Sequence, residues 1–149
     1  GENISLAGLS NLCRAGLINR QLERHSVSRC MDLCTIKAPS PDSCVAELSG
    51  GNQQKVVIAK WLESRAEIFL FDEPTRGIDV GAKAEIYRLM GGLVKKGAAV
   101  VMVSSELPEI LGISDRILVM RNGGIVAELD PRATCQEEIL SFALGGEAS

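Results

Sequence analysis

Up to about Ala38, the apolar positions Ile18, Leu22, Cys30, Leu33 and Cys34 recur at helical spacing, with Arg20, Arg24 and Arg29 between them. The pattern predicts an amphipathic helix with Asn19 as its N-cap. Ala38-Pro39-Ser40-Pro41-Asp42-Ser43 follows. Two prolines among Ser and Asp mark a loop, the clearest internal boundary in the chain. Beyond it the rhythm changes. Gly50 to Ser64 reads as a helix capped by Ser49, with Ile58, Trp61 and Leu62 facing inward. Ile68 to Phe71 is a short continuous apolar run, as in a buried parallel strand. Gly81 to Lys96 carries Ile86, Met90, Leu93 and Val94 at helical spacing, and Gly97 closes it. Ala98 to Val103 reads as a second buried strand and Glu106 to Gly112 as a short helix. Arg116 to Met120 and Ile125 to Leu129 are strands joined by Asn122-Gly123-Gly124, a strong hairpin signal. Thr134 to Leu144 forms a closing helix.

Strands alternating with helices predict an α/β fold, a layered sheet with flanking helices. The 149 residues fit one domain of about 150. Aromatics make up 3% of the chain, so the core must be aliphatic. Ala98 to Val103 and Ile117 to Met120 are the longest apolar runs, far short of the ~20 residues of a membrane helix. No basic stretch followed by an apolar one gives the pattern of a signal peptide. A net charge of −3 argues against a nucleic-acid binder that works by phosphate neutralisation. The cysteines Cys13, Cys30, Cys34, Cys44 and Cys135 are odd in number and irregular in spacing. They read as reduced thiols rather than a disulfide framework. Cys30 and Cys34, at i and i+4, can share a helix face, but His25 is the only histidine and a metal site wants two further ligands.

Two segments carry candidate chemistry. The first is Leu48-Ser49-Gly50-Gly51-Asn52-Gln53-Gln54-Lys55. A serine and two glycines stand where a helix begins, beside unpaired first-turn N–H groups and the positive end of the dipole. Glycines let an anion approach the backbone, and the Ser49 hydroxyl can donate, so the segment suits a phosphate. Its plainer reading is a simple N-cap. The second is Ile68-Phe69-Leu70-Phe71-Asp72-Glu73-Pro74-Thr75. A buried strand ends in two carboxylates, where α/β sheets place ligands. Asp72 is suited to hold Mg²⁺ directly or through water, and Glu73 to polarise an attacking water.

Together the segments resemble the ABC-type ATPases, a branch of the P-loop NTPases. Arg76-Gly77-Ile78-Asp79 resembles their D-loop. Leu48 to Lys55 and Asp72 to Lys83 look like the ATP-binding subunits of monosaccharide importers of the ribose, galactose and xylose kind, which carry two nucleotide-binding halves in tandem. Ser104-Ser105-Glu106-Leu107-Pro108-Glu109 and Asp115 to Met120 resemble the end of the second half. The resemblance runs from about Ile4 onward. It implies a partial ABC nucleotide-binding fold, with 1–47 the end of a helical subdomain and linker, and 48–149 the C-terminal part of the ATPase core.

The sequence departs from the family in two places. No phosphate-binding loop G-x-x-x-x-G-K-[ST] occurs, and the expected glutamine-bearing loop is absent. Gly92 and Gly97 have the loop's spacing but precede a strand instead of following one. The resemblance implies that these parts lie upstream of Gly1. It also places a switch histidine where Ser105 stands. Serine lacks the charge and proton-sharing of imidazole, which implies slow hydrolysis at the site this half owns.

Such halves dimerise head to tail with ATP between them. The resemblance therefore implies that Ser49, Gly50, Gly51 and Asn52 complete, in trans, an ATP site whose lysine, Mg²⁺ ligand and catalytic glutamate belong to another half. The implied cofactors are ATP and Mg²⁺. The implied partners are a half with a phosphate-binding loop, transmembrane permease subunits and, indirectly, a sugar-binding protein, with no nucleic acid. The implied place is the cytoplasmic face of the inner membrane, held there peripherally. A second reading is a non-catalytic dimerisation module with no ATPase activity of its own. A soluble ABC ATPase of translation or DNA repair fits worse, because Arg76-Gly77-Ile78-Asp79 stands where translation-type members carry Asn-His-Leu-Asp. An isolated chain lacking upstream strands is expected to expose Ile68 to Phe71 and Val100 to Val103 and to self-associate.

Overall fold

The computed structural model describes residues 1–14, 17–64 and 66–145. They form two compact units, Gly1–Val103 and Ser104–Ser149.

The first unit opens with α1 (Glu2–Ser5), a 3-10 turn (Leu6–Gly8) and α2 (Leu9–Leu12). β1 (Cys13–Arg14) then pairs antiparallel with β2 (Leu17–Ile18). α3 follows over Arg20–Leu33, and Asn19 caps it, accepting from the Gln21 and Leu22 amides at 3.1 Å each. The single helix expected to reach Ala38 is thus divided, and its last part stops at Leu33. The stop is a left-handed turn: Thr35 has φ 50°, its N–H donates to Asp32 O, and the Ile36 N–H reaches back to Met31 O. The buried face of α3 is Glu23, Ser26, Val27 and Cys30. Leu22 and Leu33, expected inside, are exposed. Small side chains at 26 and 30 admit close helix neighbours, and that packing outweighs the hydrophobicity of two leucines. Glu23 tolerates burial because the Ser5 hydroxyl (2.8 Å) and Arg20 (2.9 Å) donate to its carboxylate. Those two bonds, Ser5's first, hold its pKa below the usual carboxylate range.

The Pro39–Pro41 loop lies inside this unit and leads through a 3-10 turn, Val45–Glu47, into α4 (Gly50–Glu63). Ile4, Val27, Cys30, Cys34, Val56 and Ala59 form a core shared by α1, α3 and α4. Ile58 is buried as expected, but Trp61 is 51% exposed, with the Lys60 ammonium 5.4 Å from its ring. β3 (Ile68–Asp72) pairs in parallel with β4 (Ala99–Val103), with Asp72 opposite Val103. The crossover between them is α5 (Val80–Lys95), closed by Gly97 at φ 93°. Phe71, Val100 and Met102 pack against Ile58, Ile86 and Met90. Val94, expected inside, is exposed. The two strands are covered on one face instead of both: Ile68, Leu70, Val101 and Val103 are exposed, Leu70 by 78%.

The second unit contains α6 (Leu107–Ile113), the hairpin β5 (Ile117–Arg121) and β6 (Gly124–Leu129), and α7 (Gln136–Leu144). Asn122 (φ 51°) and Gly123 (φ 81°) make the predicted turn. Ile117, Val119 and Ile139 form its core with Leu107, Ile110 and Phe142. Among the described residues no helix is long and apolar enough to cross a membrane.

Candidate functional site

The start of α4 departs from an ordinary cap. Ser49 occupies the N-cap position with extended backbone (φ −60°, ψ 152°), yet its side chain makes no hydrogen bond to the first turn. The Asn52 amide donates from Nδ2 to Ser49 Oγ at 2.9 Å instead. On its other side, Asn52 Oδ1 accepts from the Lys37 N–H at 2.9 Å. Gln53 fixes the incoming turn by donating to Leu48 O at 2.8 Å. Gly50 is exposed and Gly51 is buried. A Cβ on Gly51 would lie 2.6 Å from the Ala82 Cβ, whereas one on Gly50 would meet only Ile78 at 3.7 Å. Gly51 is therefore a packing glycine, and Gly50 leaves the approach to the helix end open.

The acidic pair stands at the C-terminal end of β3. Asp72 is exposed and still within the strand. Glu73 has φ 47°, a left-handed backbone that a non-glycine residue seldom adopts, and its N–H donates to Val103 O at 2.9 Å. Pro74 and Thr75 are fully buried behind it. The turn continues through Gly77 at φ 74° to Asp79, whose carboxylate caps α5 by accepting from the Ala82 N–H at 2.9 Å. Ala82 thus receives both the Asp79 cap and the Gly51 backbone. The structure in this way joins the start of α4 to the turn at 76–79 within one unit.

Ser105 is exposed and stands two residues after β4, in the second unit. Its neighbour Ser104 donates to Glu109 at 3.0 Å and accepts from the Glu106 N–H at 3.0 Å, which starts α6. Asp72 is the exposed member of the acidic pair at the end of β3, and Glu73 is half-buried. Among the described residues no cluster of three or more His, Cys, Asp or Glu forms a metal cage.

Sequence reasoning missed Lys55. Its side chain is 3% exposed, and its ammonium donates to Thr35 O at 3.0 Å and to the Glu85 carboxylate on α5. That hydrogen bond, and then the charge of Lys55, hold the Glu85 pKa below the usual carboxylate range. The pair ties α4 to α5 one turn beyond the Gly51–Ala82 contact. A cavity of about 600 Å³ lies elsewhere, lined by Leu33, Cys34, Leu62, Phe69, Leu93 and Lys96 at the far ends of α4 and α5. Burial pushes the Cys30 thiol up to about 11, with help from Glu63, to which Cys30 donates at 3.3 Å, and pushes Cys34 up to about 12.

The ABC transporter family matches residues 9–76. The chain is 52% identical over 145 residues to the ribose import ATP-binding protein RbsA of Bacillus subtilis (strain 168), covering 97% of this chain and 29% of that protein. It is 50% identical over 144 residues to the xylose import ATP-binding protein XylG of Photobacterium profundum, covering 97% of this chain and 28% of that protein. The chain thus spans less than a third of the length of these curated relatives. Its fold is similar to the dimeric ABC transporter cassette MJ0796, with a TM-score of 0.71 at 23% identity over 89% of this chain and 57% of that one. It is also similar to a metal-chelate type ABC transporter in an inward-facing conformation, with a TM-score of 0.79 at 16% identity over 97% of this chain and 57% of that one. An uncapped Ser-Gly-Gly helix start, a parallel strand ending in Asp-Glu and this depth of identity place the chain in the ABC transporter family of ATP-binding proteins.

Proposed function

We propose that this chain serves an ABC importer of a simple sugar, and that Ser49, Gly50, Gly51 and Asn52 complete an ATP site shared with another nucleotide-binding half. The observation that carries this reading is the start of α4. Its Ser hydroxyl caps no first-turn amide, and Ser49 and Gly50 are exposed, which suits a phosphate. The other half supplies the phosphate-binding loop, whose pattern this sequence does not contain. Residues 1–47 belong to the helical subdomain and 48–149 to the ATPase core. The relatives' roles in ribose and xylose import support a sugar as cargo.

Asp72 and Glu73 belong to a second ATP site. Asp72 is exposed at the strand end and suits Mg²⁺, which keeps several waters and needs one or two carboxylates beside phosphate oxygens. When bound, the ion neutralises phosphate charge. Glu73, held by its left-handed backbone, accepts the proton of the attacking water. Ser105, in place of a histidine, makes this second site slow. Permease subunits hold the assembly peripherally at the inner face of the membrane, and a sugar-binding protein delivers the cargo.

The test is a ranking in the assembled importer. Ser49→Ala lowers transport-coupled ATPase activity more than Glu73→Gln. The reverse ranking assigns hydrolysis to Asp72 and Glu73 and sinks the shared-site reading.

A further inference from the structure

Serine is among the strongest N-caps, and in the usual arrangement its oxygen accepts from the N–H two or three residues on. In this molecule Asn19 and Asp79 cap α3 and α5 in that way. Ser49 does not cap α4. What differs is Asn52, at the third helical position. In a capping box that side chain reaches back to the cap residue's backbone. Here it reaches the cap residue's hydroxyl oxygen.

The direction of the Asn52 amide is fixed by chemistry. The Lys37 N–H can only donate, so the atom 2.9 Å from it is the carbonyl oxygen Oδ1. Nδ2 therefore faces Ser49 Oγ and donates to it. With Asn52 as a donor to that oxygen and no cap bond to the first turn, the Ser49 proton is not spent on Asn52 and is free for an acceptor such as a phosphate oxygen. Phosphate oxygens only accept, so a hydroxyl set as donor is the form they need.

We propose that Asn52 is a positioning residue, which keeps Ser49 out of the cap and presents its hydroxyl proton to the incoming phosphate. The consequence is double. The first-turn N–H groups stay open, and the serine contributes a further donor. The Lys37 backbone, carried on the turn after α3, anchors the device, so the end of α3 is tied to the mouth of the site. This inference rests on the shared-site reading of Ser49.

The experiment is a double-mutant cycle in the assembled importer with Ser49→Ala, Asn52→Leu and both changes together. Leucine keeps the size of asparagine and removes both polar atoms. Ser49→Ala is expected to lower the maximal ATPase rate by about tenfold or more, as loss of a phosphate donor does. Asn52→Leu is expected to lower it at least fivefold without lowering Tm, and the double variant to match Ser49→Ala within twofold. Amide exchange supplies a readout independent of activity. In Asn52→Leu the freed serine caps, so the backbone amides at positions 51 and 52 exchange about fivefold more slowly, and the slowing disappears in the double variant. Losses that multiply, an Asn52→Leu rate within twofold of wild type, or a lowered Tm with unchanged amide exchange overturns the positioning role. An unchanged rate in Ser49→Ala overturns the shared-site reading itself and takes this inference with it.

Discussion

Replacing Lys55 with Met tests whether the start of α4 is held in place from behind. Methionine keeps the apolar stem and removes the ammonium. Two partners are then left behind: the Thr35 carbonyl and the Glu85 carboxylate, whose side chain is 27% exposed. Breaking a fully buried ion pair from one side costs roughly 3–5 kcal/mol. Partial access of water to Glu85 lowers that figure, and the orphaned carbonyl adds about 1 kcal/mol. The expected loss is about 2–3 kcal/mol. With a urea slope of about 2 kcal/mol/M, the unfolding midpoint falls by about 1–1.5 M. Trp61, the only tryptophan of the chain, sits on α4 and reports the transition by fluorescence.

The pH dependence gives a second handle. The folded Glu85 carboxyl is held below its unfolded value, first by the Lys55 hydrogen bond and then by the Lys55 charge. A depressed carboxylate pKa stabilises the fold above the unfolded pKa, and that contribution is lost as pH falls through the folded one. The gap between wild type and Lys55→Met is therefore full at pH 7 and shrinks below about pH 4.5. Lys55→Met combined with Glu85→Gln should recover part of the loss, because the unpaired charge is gone. A midpoint shift under about 0.3 M, or a double variant no better than Lys55→Met, refutes the reasoning.

Gly51→Ala must push the Ala82 methyl aside from 2.6 Å and should cost about 1–3 kcal/mol, while Gly50→Ala, with 3.7 Å of room, leaves the urea midpoint nearly unchanged. Ellman titration of the folded chain at pH 8 should modify the exposed Cys13, Cys44 and Cys135 at once and the buried Cys30 and Cys34 only on unfolding. Calorimetry should find no saturable MgATP binding to the isolated chain at millimolar nucleotide. Micromolar, Mg²⁺-dependent binding would show that the chain builds a complete phosphate site by itself. Sedimentation should show self-association through the apolar face of β3 and β4, reduced by Leu70→Lys at the most exposed point of that face.

What the sequence made legible is governed by local rules. The Asn19 cap, the turn at Gly97, the Asn122-Gly123 hairpin and the strand ending at Asp72 all depend on residues within a few positions of each other. The candidate site residues stand at short spacing on those same local elements, the start of α4 and the end of β3. The packing faces were not. Leu22 and Leu33 satisfy the helical period as well as Val27 and Cys30 do, and only contact with α1 and α4 decides which stripe is buried. Lys55 was hidden for the same reason. A lysine on an amphipathic helix reads as solvated, and its partners Thr35 and Glu85 lie 20 and 30 residues away. The Lys37–Asn52–Ser49 relay depends on a backbone N–H that no residue pattern announces.

Two local rules are broken in the first unit where function is proposed. α4 begins with a residue suited to cap it and goes uncapped, which forgoes about 1 kcal/mol. Glu73 holds a left-handed backbone that costs of order 1–3 kcal/mol for a residue with a Cβ. The neighbouring structure is built to sustain both. Buried Pro74 and Thr75 and the Val103 carbonyl hold Glu73, while Asn52 and Lys37 hold Ser49. The Gly51–Ala82 contact and the Lys55–Glu85 pair then make the starts of α4 and α5 one body. A shift of the turn at 35–37 would reach Ser49 through Asn52 and α5 through Lys55, because that turn bonds to both side chains. The start of α4 and the turn at 76–79 are therefore expected to move together and not independently.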